Sequence, residues 1–244
     1  WGKPALMRSG SRAVRFISGC KRTIMPEVKS ICCYCGTGCG VIVTSDGVRV
    51  AAQDYRQVTN EYLVPYSSAK FTKNKRESLM VGALARFNNN YAQLHPKAKD
   101  AAAALGIKPK VTNTYLNTAA QVVEIVHCTE DAIAVIDQLL ELGVSPEPLA
   151  PVQRMPGEGV GVCEVPRGIL IHNYAIGADG KITGANCIIP TNQNLGNLQA
   201  DFRARVPQIS ERPVDEMRLD LEMLVRAYDP CISCSVHVLE VAFE

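Results

Sequence analysis

The sequence predicts an α+β fold, mostly helical, with a β-hairpin layer and a small cysteine-rich module at its N-terminal end. Three observations carry this. Residues 114–143 repeat apolar side chains at the helical period, with Gly143 as a stop. From Gly159 the period changes to that of strands: Val160-Gly161-Val162-Cys163-Glu164-Val165, then Ile169-Leu170-Ile171-His172-Asn173-Tyr174. Six of the ten cysteines fall in two tight groups, Cys32, Cys33, Cys35, Cys39 and Cys231, Cys234.

Residues 1–27 read as a basic irregular arm (Lys3, Arg8, Arg12, Arg15, Lys21, Arg22). They lack a long apolar stretch, so no signal peptide is expected there. Residues 28–52 read as a cysteine loop followed by a hairpin, with Ser45-Asp46-Gly47 as the turn. Residues 53–244 form the main domain. In it, 53–75 is expected to be a polar connection and 76–90 a helix ending in Asn88-Asn89-Asn90. A short helix over 96–106 has Pro96 in its first turn. The long helix at 114–143 places Val122, Val123, Ile125, Val126, Ile133, Val135, Ile136, Leu139 and Leu140 mainly on one side. Pro146, Pro148 and Pro151 mark a rigid linker. Ala178-Asp179-Gly180-Lys181 turns the chain, and Ile182 to Ile189 returns. Helices at about 195–206 and 213–227 follow, the second with Met217, Leu221, Leu224 and Val225 as its apolar face.

The chain has 244 residues, 47% apolar and 20% charged, with a formal net charge of +2. That balance makes no case for nucleic acid or an anionic membrane as partner. No apolar run is long enough for a membrane span. Thiols three positions apart are poor structural disulfide partners and good metal chelators, so a reducing, cytoplasmic compartment is expected.

The ending Asp229-Pro230-Cys231-Ile232-Ser233-Cys234-Ser235-Val236-His237 is the most informative stretch. Asp-Pro ends the preceding helix. Cys231 and Cys234 supply two soft ligands and need others to close a site; on spacing alone zinc, an iron–sulfur cluster and other metals are all open. Two further segments bear on the choice, Glu164-Val165-Pro166-Arg167-Gly168 and Ile188-Ile189-Pro190-Thr191-Asn192-Gln193-Asn194.

Together these resemble the nickel–iron hydrogenase large subunit, in which E-x-P-R-G and P-T/S segments precede a D-P-C-x-x-C-x-x-H ending. Val81-Gly82-Ala83-Leu84-Ala85-Arg86-Phe87 and Glu124-Ile125-Val126-His127-Cys128 resemble it too. The likeness covers about residues 60–237. It is nearest the cytosolic, cofactor-coupled branch, on Leu170-Ile171-His172-Asn173-Tyr174 and Gln193-Asn194. The resemblance implies a nickel–iron centre whose iron carries cyanide and carbonyl. Cys231 would be a terminal nickel thiolate and Cys234 a bridging one. Backbone N–H groups around Pro190 and Thr191, with the Thr191 hydroxyl, would face the iron's ligands. Arg167 would project over the open side of the metals, or else pair with Glu164. His237 would bind magnesium or end the mature chain, with Val238–Glu244 as a removable extension or a plain terminal strand. His172 reads as a hydrogen-bonded strand residue; His127 and His95 read as structural or exposed. The implied reaction is reversible oxidation of H2, with electrons leaving for an acceptor through an iron–sulfur small subunit.

The N-terminal segment is worded differently. Cys32-Cys33-Tyr34-Cys35-Gly36-Thr37-Gly38-Cys39-Gly40 resembles the iron–sulfur segment of molybdenum or tungsten formate dehydrogenases over about 28–51. Glycines between thiols let backbone wrap a cluster and aim N–H groups at its sulfurs. Either Cys32 and Cys35 complete the nickel site, or Cys32, Cys35 and Cys39 hold a 4Fe–4S cluster, with Cys20 or Cys33 available as a fourth ligand. The chain is short for a hydrogenase large subunit. The alternatives are a formate dehydrogenase-like electron-transfer fragment, or a protein stabilised by zinc or a cluster without enzymatic function.

Overall fold

The computed structural model describes residues 41–43, 49–73, 78–146, 148 and 156–235, with backbone only at 41–43, 49, 234 and 235. The basic arm, the N-terminal cysteines, the turn at 45–47, Pro151, His237 and the tail 238–244 lie outside the described residues.

The hairpin expected over 41–50 is formed by β1 (Val41–Val43) and β2 (Arg49–Ala51), antiparallel with Ile42 opposite Val50. The stretch expected as a polar connection holds more. A 3-10 segment (Ala52–Gln57) leads into a second antiparallel pair, β3 (Asn60–Tyr62) and β4 (Phe71–Lys73). Three-residue strands are too short to show alternation. What stabilises them is aromatic packing around buried Phe71, whose ring lies 5.9 Å from that of Tyr62 and 6.3 Å from that of Tyr66.

Helix α1 (Ala83–Asn90) begins later than the pattern at 76–90 implies. Asn194 explains the delay. Its side-chain amide pairs with both backbone groups of Val81, accepting from the N–H at 2.8 Å and donating to the carbonyl at 3.3 Å. Gly82 then turns the chain at φ +107°. Helix α2 (Pro96–Ala104) starts at its proline, with His95 Nδ1 accepting from the Lys97 N–H.

Helix α3 (Asn117–Leu142) has the expected length but not the expected orientation. Its buried face is Asn117, Ala120, Val123 and His127. Of the nine residues expected on the apolar face only Val123 is buried; Ile125, Ile133, Ile136 and Leu140 are half or more exposed, Leu140 at 74%. Aliphatic side chains surround this helix on more than one side, so the period identifies a helix without deciding which side meets the core. The core it does join contains Ala83, Leu84 and Phe87 of α1 and Leu94, Ala98 and Ala102 around α2.

Strands β5 (Gly157–Val165), β6 (Gly168–Ile176) and β7 (Ile182–Ile188) make an antiparallel meander. Val165 pairs with Gly168, leaving Pro166-Arg167 as a two-residue turn. One face of the sheet buries Val162, Ile171 and Ile188 against Val50, Ala52, Tyr55 and Val58. Helix α4 (Pro190–Ile209) starts five residues before the expected 195, directly at the proline that leaves β7, and runs past Pro207. Helix α5 (Val214–Ala227) matches the expected 213–227, and a single turn, α6 (Ile232–Ser235), follows Pro230.

Candidate metal centre

Three chain segments converge: the β5–β6 turn, the first turn of α4, and the residues that leave α5. Arg167 donates from Nε to the Asp229 carbonyl at 2.7 Å and from Nη2 to Asp229 Oδ1 at 3.2 Å. The Cys231 N–H donates to Thr191 Oγ1 at 3.0 Å. Arg167, Thr191 and Cys231, far apart in sequence, are thus joined through one short stretch, Asp229-Pro230-Cys231.

That stretch is held from below. Tyr228 is buried; its hydroxyl donates to Asp201 Oδ2 and accepts from Asn197 Nδ2, both at 2.6 Å. Burial, with the Asp201 carboxylate beside it, pushes the phenol far up, so it stays a neutral donor. Asp229 sits at φ +48°, a conformation Asp tolerates better than most side chains. Gln121 of α3 donates to its Oδ2 at 3.1 Å. Asn117, at the start of α3, accepts from the Leu84 N–H at 3.0 Å and donates to the Ala227 carbonyl at 2.9 Å, tying the start of α1 to the end of α5.

Thr191 is buried at the start of α4, which has no side-chain cap. The N–H groups of that first turn lack intrahelical partners and are ready donors. Thr191 accepts from Cys231, so its own hydroxyl proton remains to be donated elsewhere. Gln193 Nε2 donates to the Ile169 carbonyl at 2.5 Å and Asn194 grips Val81, so α4 is docked on β6 and on the approach to α1.

The pairing of Arg167 with Glu164, one of the two expectations, is not found. Glu164 is engaged elsewhere, in a buried cluster that sequence reasoning missed. Arg86 of α1 donates from Nε and Nη2 to the two carboxylate oxygens of Glu124 and from Nη1 to Glu164 Oε1, each at 2.6 Å. Its Nη1 also donates to the Val165 carbonyl at 2.9 Å and its Nη2 to the Pro166 carbonyl at 2.8 Å. Burial pushes the Glu164 carboxyl up to about 7; Arg86 pulls it down and Glu124 pushes it further up, and burial wins. The available signal was an arginine among Ala83, Leu84 and Phe87, where a charge is rarely buried without a partner.

Two glycines let α1 close on the Arg167 turn. A Cβ on Gly168 (φ +135°) would lie 2.2 Å from Val81 Cγ2, and one on Gly82 would lie 3.0 Å from the Arg167 carbonyl oxygen. Gly168→Ala is therefore expected to destabilise the fold by at least about 2 kcal/mol, from combined backbone strain and overlap. Urea unfolding of parent and variant measures it.

The remaining predicted residues are placed as follows. Pro190 opens α4 and is buried. Cys231 is half-buried and is disulfide-bonded. Its sulfur therefore lies against a second sulfur. The backbone of Cys234 lies in α6, three residues beyond. Cys32, Cys35, Cys39 and His237 lie outside the described residues. Among the described residues no group of three or more His, Cys, Asp or Glu side chains is assembled for a metal ion. What is described of the centre is one cysteine sulfur, a hydroxyl, a helix start rich in N–H donors and a guanidinium. These fit a thiolate-bound metal whose other ligands accept hydrogen bonds. His172, by contrast, is bonded to Tyr174 Oη at 3.0 Å, as a strand histidine. His127 accepts from the His95 N–H at 3.2 Å, and burial lowers its pKa.

A cysteine sulfur, a hydroxyl, a helix start and a guanidinium brought together in this way are the donors that a metalloprotein would use. Residues 45–237 match the nickel-dependent hydrogenase family, and the chain belongs to it. Residues 25–64 match the molybdopterin oxidoreductase Fe4S4 domain. The alpha subunit of sulfhydrogenase 1 from Pyrococcus furiosus is 36% identical over 203 residues, covering 82% of this chain and 46% of that protein. The NAD-reducing hydrogenase HoxS subunit beta of Cupriavidus necator is 33% identical over 209 residues, covering 76% and 40%. The crystal structure of an NAD+-reducing nickel–iron hydrogenase in the H2-reduced state superposes with a TM-score of 0.67 at 31% identity, covering 85% of this chain and 50% of that one. The chain spans about half the length of the curated relatives it matches. The expected α+β, hydrogenase large-subunit-like architecture is thereby borne out. No helix among the described residues is long and apolar enough to cross a membrane.

Proposed function

We propose that this chain forms the metal-bearing part of the catalytic (large) subunit of a nickel–iron hydrogenase, which oxidises H2 reversibly to protons and electrons. The observation that carries the reading is the junction of Arg167, Thr191 and the Asp229-Pro230-Cys231 stretch. Membership of the hydrogenase family supports it. Cys231 and Cys234 would hold a nickel–iron centre with cyanide and carbonyl on the iron. That centre supplies the Lewis acid and the electron acceptor that an uncharged substrate requires. The Thr191 hydroxyl and the first N–H groups of α4 would supply hydrogen-bond donors to the iron's ligands. Arg167, hydrogen-bonded to Asp229, would supply a positive charge beside the metals.

Cys32 and Cys35 would complete the nickel ligands, or with Cys39 hold a 4Fe–4S cluster. The match of residues 25–64 favours the cluster. His237 would bind magnesium. In this reading residues 1–27 are an arm, 28–52 the cluster module and 53–244 the hydrogenase-like domain. An iron–sulfur small subunit carries electrons to the acceptor in a cytoplasmic complex.

Metal analysis of the reduced protein tests the proposal. Nickel near one equivalent, with cyanide and carbonyl infrared bands, is expected, and Cys234→Ser should abolish H2 turnover. Iron and sulfide without nickel would replace the reading with an electron-transfer fragment, which the Fe4S4 match also permits. Zinc alone would leave a structural protein.

A further inference from the structure

We infer that Arg86, remote in sequence from the thiols, is the positioning residue that sets the direction of the Arg167 guanidinium. The inference rests on the role proposed above for Arg167. A guanidinium carries five N–H donors in a rigid fork. In Arg86 all five have acceptors: both oxygens of Glu124, one of Glu164, and the carbonyls of Val165 and Pro166.

The two carbonyls decide the matter. The Pro166 carbonyl belongs to the peptide that enters Arg167, and a peptide is planar, so holding its oxygen fixes the plane on one side of the Arg167 Cα. The plane on the other side carries the Arg167 carbonyl, against which Gly82 is packed. Arg86 therefore holds the plane that enters Arg167, and the close approach of Gly82 confines the plane that leaves it. The carboxylates keep the fork in register, Glu124 from α3 and Glu164 from β5. A structural ion pair would need the carboxylates alone; the grip on two successive carbonyls beside Arg167 is specific to this turn. Arg167 is 41% exposed and its pair with Asp229 lies partly in solvent. That pair is too weak to orient the side chain unless the backbone already aims it.

The test uses the full chain with nitrogen-15 arginine, and the readout is solvent exchange of the Arg167 Nε–H. The resonance is identified by its loss in Arg167→Lys. Arg205 Nε–H, which donates to Asp220 at 2.8 Å, is the internal control for the fold. Arg86→Lys keeps the charge between the carboxylates but cannot span them and both carbonyls. We expect exchange at Arg167 to rise about fivefold or more, the effect of losing the net contribution of one hydrogen bond, with Arg205 unchanged. Unchanged exchange at both overturns the inference. Should Arg86→Lys loosen both sites, the triple variant Arg86→Met, Glu124→Gln, Glu164→Met removes the buried charges together and strands none of them. Selective loss at Arg167 is again expected there. Unchanged exchange at Arg167, or loss at both sites once more, overturns the inference, because Arg86 would then serve the whole fold or nothing near Arg167. The readout needs neither metal nor turnover. A protein without nickel would therefore sink the proposed function and leave this result standing.

Discussion

Between pH 5 and pH 8 the Glu164→Gln variant should gain stability over the parent by on the order of 3 kcal/mol. The carboxyl of Glu164 is buried beside Arg86, and burial raises it from 4.5 to about 7. In the unfolded chain it titrates at its ordinary value. As pH climbs from about 4.5 to about 7, the unfolded chain has given up this proton while the folded chain still holds it. The folded state binds more protons across that window, so parent stability falls with rising pH and levels off above about 7. The amide introduced by the substitution cannot titrate, yet its carbonyl oxygen still accepts from Arg86 Nη1. At pH 5 parent and variant therefore present nearly the same neutral group and should unfold alike. At pH 8 only the parent carries a second negative charge in a buried space where one cation already serves Glu124. Urea unfolding of both proteins at pH 5, 6, 7 and 8 measures the divergence. Curves that run parallel across this range would show that Arg86 compensates both carboxylates fully.

The same cluster shows where sequence reading reached its limit. Glu164 is buried on β5, whereas Arg167 lies in the exposed two-residue turn that follows it. The local pairing that adjacency suggests is thus disfavoured, and both residues find distant partners, Arg86 and Asp229. Nothing in the local pattern specifies those partners, because they depend on how α1 and the end of α5 dock on the sheet. Two of the segments themselves were legible: Pro190-Thr191 at the exit of a strand, and Asp229-Pro230 as a helix end. Each is encoded by turn chemistry that acts within a few residues. Their convergence was legible only through family resemblance. Helix α3 makes the complementary point. Its period was strong, yet the side that packs carries Asn117 and His127 beside Ala120 and Val123, and hydrogen bonds from these polar residues to Leu84, Ala227 and His95 help to select it. The β3–β4 pair escaped notice because side chains around Phe71 hold it and strand alternation does not.

Replacing Arg167 by lysine should lower H2 turnover by the metal-loaded protein about a hundredfold or more, with nickel content unchanged. Arg167 makes two contacts at once. Its Nε anchors on the Asp229 carbonyl and its Nη2 meets the carboxylate, which leaves the Nη1 donors for another acceptor. An ammonium has a single nitrogen on a flexible stem. It can stay at Asp229 or swing toward the reacting face, and it cannot do both in a fixed direction. A preorganised charge would become a mobile one, so the loss should fall on turnover more than on substrate binding. Stability should change little, since the Arg167–Asp229 pair is partly exposed and such pairs contribute at most about 1 kcal/mol. The three readouts, nickel per chain, unfolding midpoint and dye-linked H2 oxidation, separate the explanations. Lost nickel would make Arg167 part of the loading machinery. A lowered midpoint would make it structural. Turnover equal to the parent's would show that the guanidinium, however well aimed at Asp229, does not act on the reacting centre.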